Sequence, residues 1–567
     1  MKFRALLTTT ALAASAVAGV AATERPADLA EALGAGLTAD QAQADLPVGA
    51  GYWQEIDFPS LDGTMLHADV ILPGRPDQAP EGGWPMIFSI GPYFGEGQGA
   101  TENDPVATGP EPRFYDFIEG ADILNQGYGW AQVDSRGYGS SAGCSDYGGI
   151  GEQMDVFAAA EYFGEAPYSN GHVGMWGKSY DAWTQVMGLA MNPPHLDAVV
   201  IQSPIIDGYR IAFDHGVHWD SGWYVTPGLY TAYDANPPAP QHTSQAEWVQ
   251  WLDSEAKLAT CWSEGIAYSD LGYDESLPYW VERELVSRAK DTEIPVFWSM
   301  GFNDINTKPT NMLDLVDELQ GYHRGWYGQW DHVRGNEVDK VGRDGFLEET
   351  LDFFDVFLKG EAEFDNELNA NQSARIQTQF GDWYIADAYP PSHMQHFSME
   401  LLPGAYVDDK DAGDALWTVT EPAPYDVHLS GEPVFNVDVD IPLANANMIV
   451  KVWDTTDSGQ ATLIARGAQL ITESGQFTFD AWPQDYLLEA DHIIAIEIGT
   501  SDAEYNDIPT GQTVTLKSGT VDLPFLTEQI EYELYGYPAS VANATGKLDA
   551  SVFANLTPAF TWPPTVR

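Results

Sequence analysis

The sequence predicts an α/β protein carrying a helical insertion and followed by an all-β region, and three observations lead there. Between Gly51 and Val200, short apolar runs alternate with segments of helical spacing, the pattern of a sheet covered by helices. From residue 206 to about 290 that rhythm stops, and a stretch rich in Trp, Tyr and Asp replaces it. After about residue 375 the helical spacing vanishes, and alternating runs sit between Gly, Pro, Asn and Asp turns. That last pattern is the signature of a β-sandwich or jelly roll. A length of 567 residues accommodates two or three domains.

Each segment has its own warrant. In "MKFRALLTTTALAASAVAGVAA", Lys2 and Arg4 precede an apolar, small-residue core that offers cleavage after Ala18, Ala21 or Ala22. Residues 1–22 therefore read as a secretory signal peptide rather than a buried helix, and the mature chain is expected to be exported, periplasmic or extracellular. No later run is long and apolar enough to span a bilayer. The first part of the core, 23–205, contains the strand-like runs "LHADVIL" (66–72), "MIFSIG" (86–91), "YGWAQVD" (128–134), "VGMWG" (173–177) and "AVVIQS" (198–203). Between them "EQMDVFAAAEYFG" (152–164) has helical spacing. Residues 206–290, with "SQAEWVQWLDSEAKLATCW" (244–262), read as a helical cap over the sheet. The core resumes over 291–375 with "IPVFWSMG" (294–301), "HRGWYGQW" (323–330) and the helix-like "FLEETLDFFDVFLKG" (346–360). The β region, 376–567, contains "VFNVDVDI" (434–441), "MIVKVWDT" (448–455), "ATLIARGAQLI" (461–471) and "HIIAIEIGT" (492–500).

Composition narrows the function. The 25 Lys+Arg face 85 Asp+Glu, for a net charge of −60, while 44% hydrophobic and 12% aromatic residues mark a folded chain rather than a disordered acidic one. Such a surface repels nucleic acid and anionic membranes, and suits high salt, where self-repulsion is screened. The expected partner is a small-molecule or peptide substrate. Cys144 and Cys261 are the only cysteines and form either a disulfide or two buried thiols. The 12 histidines form no H-E-x-x-H, and "HRGWYGQWDH" lacks ligand spacing, so neither a metal nor another cofactor is expected.

The chemistry centres on "VGMWGKSYDAWTQVMGLAMN". Ser179 is either a nucleophile on a sharp strand-to-helix turn or a serine that merely starts a helix. Its partners favour the first. An α/β-hydrolase needs an acid and then a histidine after later strands, in the order Ser, Asp, His. Asp304 directly follows "IPVFWSMG" and His332 directly follows the next strand-like run.

On these residues the chain resembles the X-Pro dipeptidyl-peptidase and cocaine-esterase family of α/β-hydrolases. That family also holds α-amino-acid ester hydrolases and glutaryl-cephalosporin acylases. Gly177, Ser179 and Tyr180 match its G-x-S-Y-x-G motif, with Ala182 in place of the last glycine. Gly301 and Asp304 match its acid motif, and Gly328, Trp330 and His332 its G-x-W-x-H motif. "DGTMLHADVILP" (62–73), "DSRGYGSSAG" (134–143) and "PQDYLLEADHIIAIEI" (483–498) extend the likeness. The resemblance implies an α/β-hydrolase core with a helical cap, a C-terminal jelly roll, and a Ser179–His332–Asp304 triad. It also implies an oxyanion hole made by the Tyr180 backbone N–H and the hydroxyl of Tyr93, in "MIFSIGPYFG".

The reaction implied is ester or amide hydrolysis through an acyl-enzyme. Amine-binding members carry acids two and three residues after the catalytic aspartate, where this chain has Asn306 and Thr307. Asp207 and Asp214, at the start of the cap, are the candidate replacements; Trp219 and Trp223, with Tyr224 and Tyr230, are candidate pocket surface. His215 and His218 read as cap packing or pocket polar groups, and Asp134 with Arg136 as a structural loop pair. The alternatives are a proline-specific dipeptidyl-peptidase and, in another class, a non-catalytic protein that binds a polymer through its β region.

Overall fold

The structure is a computed structural model and describes residues 51–564 apart from 95–109, 111, 220–272, 317, 361–371, 457, 506–507, 534–542 and 549–559. The predicted signal segment, the middle of the predicted cap, Trp223, Tyr224, Tyr230 and Cys261 lie outside the described residues. Cys144 is disulfide-bonded.

The strands up to residue 202 are β1 (Tyr52–Pro59), β2 (Met65–Leu72), β3 (Trp84–Gly91), β4 (Gly129–Asp134), β5 (Ser169–Lys178) and β6 (Leu196–Gln202). A small hairpin, β7 (Phe213–Asp214) and β8 (Val217–His218), opens the cap. Then come β9 (Val296–Gly301), β10 (His323–Gly328), β11 (Gln372–Gln377) and β12 (Trp383–Ala386). All except the hairpin form one ten-stranded sheet in the order β1-β2-β4-β3-β5-β6-β9-β10-β11-β12. Pairing is parallel from β4 through β3, β5, β6, β9 and β10 to β11, and antiparallel at both edges. β3 and β9 are buried along their whole length, which is why they read as unbroken apolar runs rather than alternating ones.

Helices α1 (Ile150–Glu165), α2 (Tyr180–Met191) and α3 (Phe346–Lys359) contribute to covering this sheet. In α3, Phe346, Phe353, Phe354 and Leu358 face inward. Gly174 of β5 has no room for a Cβ, because Leu358 Cδ1 and Phe354 Cε1 would each lie 2.8 Å from it.

Two features differ from the sequence reading. β11 and β12 extend the large sheet, so its strands continue past residue 375, the point at which the helical spacing ends. The physical link is α3, which leads from β10 to a strand parallel to it. The long strand Thr513–Leu526, which pairs with four others, was not foreseen. Its Gly519 and Pro524 break the alternation that a strand normally displays.

The C-terminal region is all-β. One sheet is built on Thr513–Leu526, with Val434–Asp440 and Val427–Gly431 beside it; the other is built on Ala446–Thr455, Gln460–Ile471 and Ile493–Gly499. Phe435, Val437, Leu523 and Phe525 of the first share one core with Met448, Val450 and Ile496 of the second. This region docks on the ten-stranded sheet through buried polar contacts. Gln329 Nε2 donates to Gln484 Oε1 and to the Asp485 carbonyl, both at 3.0 Å, and Tyr384 donates to Asp485 Oδ2 at 2.5 Å.

Candidate active site

Ser179 joins β5 to α2 with φ 67° and ψ −122°. A non-glycine residue held at positive φ costs on the order of 1–3 kcal/mol, and such outliers cluster at functional sites. The turn is clamped on both sides. The Ser179 N–H donates to the Gln202 carbonyl at 3.0 Å, and its own carbonyl accepts from the N–H of Ala182 and Trp183 at 3.0 and 2.9 Å. Two glycines let the helix approach the strand ends. A Cβ on Gly177 would lie 2.6 Å from Asp181 Cβ, and one on Gly91 would lie 2.0 Å from Asp181 Oδ1. Ala182, which stands where the family motif has glycine, is fully buried within α2.

Asp304 follows β9 and His332 follows β10, and their side chains meet. His332 Nδ1 lies 2.8 Å from Asp304 Oδ2. Asp304 is fully buried, yet every other partner is a donor. Oδ1 accepts from the N–H of Asn306 at 2.8 Å and of Thr307 at 3.1 Å, and Oδ2 accepts from Thr307 Oγ1 at 3.0 Å. Burial alone would push its pKa up, but His332 and these donors outweigh it and hold the carboxyl below its ordinary value.

The segment carrying His332 is tied to the strand ends beside Ser179. Lys178, the residue before the serine, donates from Nζ to the His332 carbonyl at 3.1 Å. Ser203 Oγ donates to the Val333 carbonyl at 3.4 Å, and the Gly335 N–H donates to Gln202 Oε1 at 2.8 Å. Lys178 was not singled out from the sequence. Its place in the motif's variable position carries no signal of its own.

Tyr93 lies in the turn after β3, the strand next to β5, and is buried. The Arg113 guanidinium stacks 3.8 Å from its ring centroid and pairs with Asp181 of α2 at 3.1 Å. Burial pushes the Asp181 carboxyl up to about 6, with Arg113 opposing. Tyr180 opens α2, so its backbone N–H belongs to the first turn of that helix, where N–H groups lack intrahelical acceptors.

The proposed pocket residues divide differently. Asp207 caps the short helix Gly208–Ala212, accepting on Oδ1 from the N–H of Tyr209 at 2.7 Å and of Arg210 at 2.9 Å. It lines a cavity of about 570 Å³ with Tyr209, Trp280, Asp314 and Asp480, and burial pushes its carboxyl up to about 7. Asp214 is buried in an ion cluster, accepting from Tyr505 at 2.5 Å and pairing with His215 at 3.2 Å. Burial opposes its charge, but His215 and Lys308 hold it at about 2. Trp219 is fully buried between Trp482 and Tyr505, at 5.2 and 5.0 Å. Both residues belong to the seam between the cap hairpin and the β region rather than to an open pocket wall. Asp134 and Arg136 do not pair with each other: Asp134 holds His67 at 3.1 Å, and Arg136 holds Asp155 at 2.7 Å and Asp62 at 2.9 Å.

Comparison with known proteins agrees with this architecture. Residues 62–334 match the model of the X-Pro dipeptidyl-peptidase (S15) family. A candidate Xaa-Pro dipeptidyl-peptidase of Streptomyces avermitilis is 25% identical over 345 residues, 56% of this chain and 46% of that protein, so the match spans about half of that relative. Another, of Rhodopirellula baltica, is 22% identical over 85% of this chain and 89% of its own length. Among solved structures, a CocE/NonD family hydrolase from Staphylococcus aureus superposes with a TM-score of 0.63 at 15% identity, covering 83% of this chain and 93% of its own. An α-amino acid ester hydrolase gives 0.59 at 16% identity, covering 86% and 98%. These two establish the α/β-hydrolase fold. The family match runs from before β2 to just past His332, through the strand ends described above, so this stretch of the chain is similar to the X-Pro dipeptidyl-peptidase (S15) family.

Proposed function

We propose that this chain is an exported serine hydrolase that cleaves ester or amide bonds through an acyl-enzyme on Ser179. The observation that carries the reading is the backbone of Ser179, a serine held at φ 67° between a buried strand and a helix. Nothing in ordinary helix capping calls for that conformation. Asp304 accepts from Nδ1–H of His332, which leaves Nε2 to take the proton from Ser179 Oγ as the oxygen attacks the acyl carbon. The proton then passes to the leaving group, and water repeats the sequence to release the acid. The Tyr180 N–H and the Tyr93 hydroxyl stabilise the oxyanion.

Esters come first in the substrate order. Thr307 uses its hydroxyl and N–H on Asp304, and Asp214 is engaged by His215 and Tyr505. Neither position offers a spare carboxylate for a substrate ammonium. The names of the Streptomyces and Rhodopirellula relatives favour a second class, X-Pro dipeptide amides. Measuring kcat/KM for p-nitrophenyl butyrate against Ala-Pro p-nitroanilide decides. The reading predicts the ester as the better substrate. A strong preference for the dipeptide amide, lost on N-acetylation, reverses the order and makes Asp207 the amine's partner.

A further inference from the structure

Tyr180, whose backbone N–H the proposed oxyanion hole uses, is hydrogen-bonded through its ring hydroxyl to a buried carboxylate that the mechanism does not use. Glu152 is at the first turn of α1 and is 1% exposed. No cation among the described residues pairs with it. Instead, Tyr180 donates its hydroxyl to Oε2 at 2.5 Å, and the Gly148 N–H donates to the same oxygen at 3.0 Å. Oε1 accepts from Ser145 Oγ at 2.6 Å and from the Tyr147 N–H at 3.1 Å. A buried carboxylate without a counter-ion is costly unless donors surround it. Four of them do here.

The segment supplying three of those donors is itself gripped. Asp146 accepts from the N–H of Gly151 and Glu152 at 2.7 and 3.1 Å. Arg283, from the cap helix Pro278–Arg283, donates from Nε to the Tyr147 carbonyl at 3.0 Å and from Nη2 to the Asp146 carbonyl. Next to it, Cys144 is disulfide-bonded.

We propose that Glu152 is a positioning residue for the oxyanion hole. Through the Tyr180 hydroxyl it fixes where the Tyr180 backbone N–H points, and through segment 145–148 it ties that donor to the base of the cap. The inference rests on the serine-hydrolase reading. An oxyanion donor works only if it is aimed before charge develops, and Tyr180 has its backbone on the strained turn and its ring in the core. The far end of that ring is the lever that Glu152 holds.

The test is a double-mutant cycle on Glu152→Gln and Tyr180→Phe, with kcat normalised by fluorophosphonate titration of active sites. Phe keeps the backbone N–H and the ring but loses the hydroxyl. Gln keeps the shape but turns an amide NH₂ toward groups that are themselves donors. Each variant should lose tenfold or more in kcat with KM changed less than threefold. The double variant should be no worse than the poorer single, because both remove one link. A role confined to stability would lower the melting temperature and the titratable fraction while sparing kcat per site. Single variants within twofold of wild type, or losses that multiply in the double, overturn the inference. If Glu152→Gln does not fold, Tyr180→Phe decides by the same kcat criterion. A wild type that is not labelled at Ser179 defeats the serine-hydrolase reading instead.

Discussion

Replacing Asp304 by Asn probes the site with a change of one atom, and its outcome follows from the four donors around the carboxylate. Oδ1 accepts two backbone N–H groups, while Oδ2 faces His332 Nδ1 and Thr307 Oγ1. An asparagine must place its NH₂ on one side or the other. On the Oδ1 side it would meet two backbone donors that cannot turn away, leaving them unpaired and buried at about 1–3 kcal/mol each. On the Oδ2 side the Thr307 hydroxyl can rotate to accept, so that orientation wins. The NH₂ then faces His332 Nδ1, which must become the acceptor, and the ring proton moves to Nε2. An imidazole in that tautomer cannot take the proton of Ser179. The equivalent change in another serine-hydrolase fold costs about 10⁴-fold in kcat, and four factors of ten correspond to about 5.4 kcal/mol. We expect a loss of that order in Asp304→Asn, with a melting temperature close to wild type because the backbone N–H bonds survive. Steady-state kinetics on p-nitrophenyl butyrate and a thermal melt give both numbers. A kcat within tenfold of wild type would refute the tautomer argument and with it the assignment of Asp304.

Two other expectations are independent of that one. Tyr93→Phe should lower kcat by about 100-fold or more with little change in KM, since in the proposed mechanism its hydroxyl stabilises the charged intermediate; near-normal kcat places the second oxyanion donor elsewhere. At the seam, Asp214 and Asp480 raise the His215 imidazole to about 9 against the effect of burial. That stabilisation is complete below the ordinary histidine value of about 6.5 and is lost as pH rises through about 9. The melting temperature should therefore fall more steeply between pH 7 and 10 in wild type than in His215→Gln, and equal slopes would remove His215 from the account.

Much of this architecture was legible because it is written locally. Buried parallel strands announce themselves as unbroken apolar runs, and the serine turn as glycine, serine and a following helix. Asp304 and His332 could be placed because each directly follows such a run. What escaped was set by distant partners. Asp214 is occupied by Tyr505, 291 positions away, and Trp219 packs against Trp482; no local pattern distinguishes these from free pocket residues. Asp134 and Arg136 are near neighbours in sequence, yet their partners are His67, Asp155 and Asp62, chosen by sheet packing. Glu152 and Lys178 are ordinary members of a helix and a strand until the fold brings Tyr180 and the His332 carbonyl to them.

The central claim is that Ser179 is the nucleophile, and covalent labelling tests it most directly. A fluorophosphonate probe should add to wild-type protein once per chain, with the adduct mapped by mass spectrometry to the peptide containing Ser179, and Ser179→Ala should take up none. Equal labelling of Ser179→Ala, or an adduct at any other residue in wild type, would contradict the account.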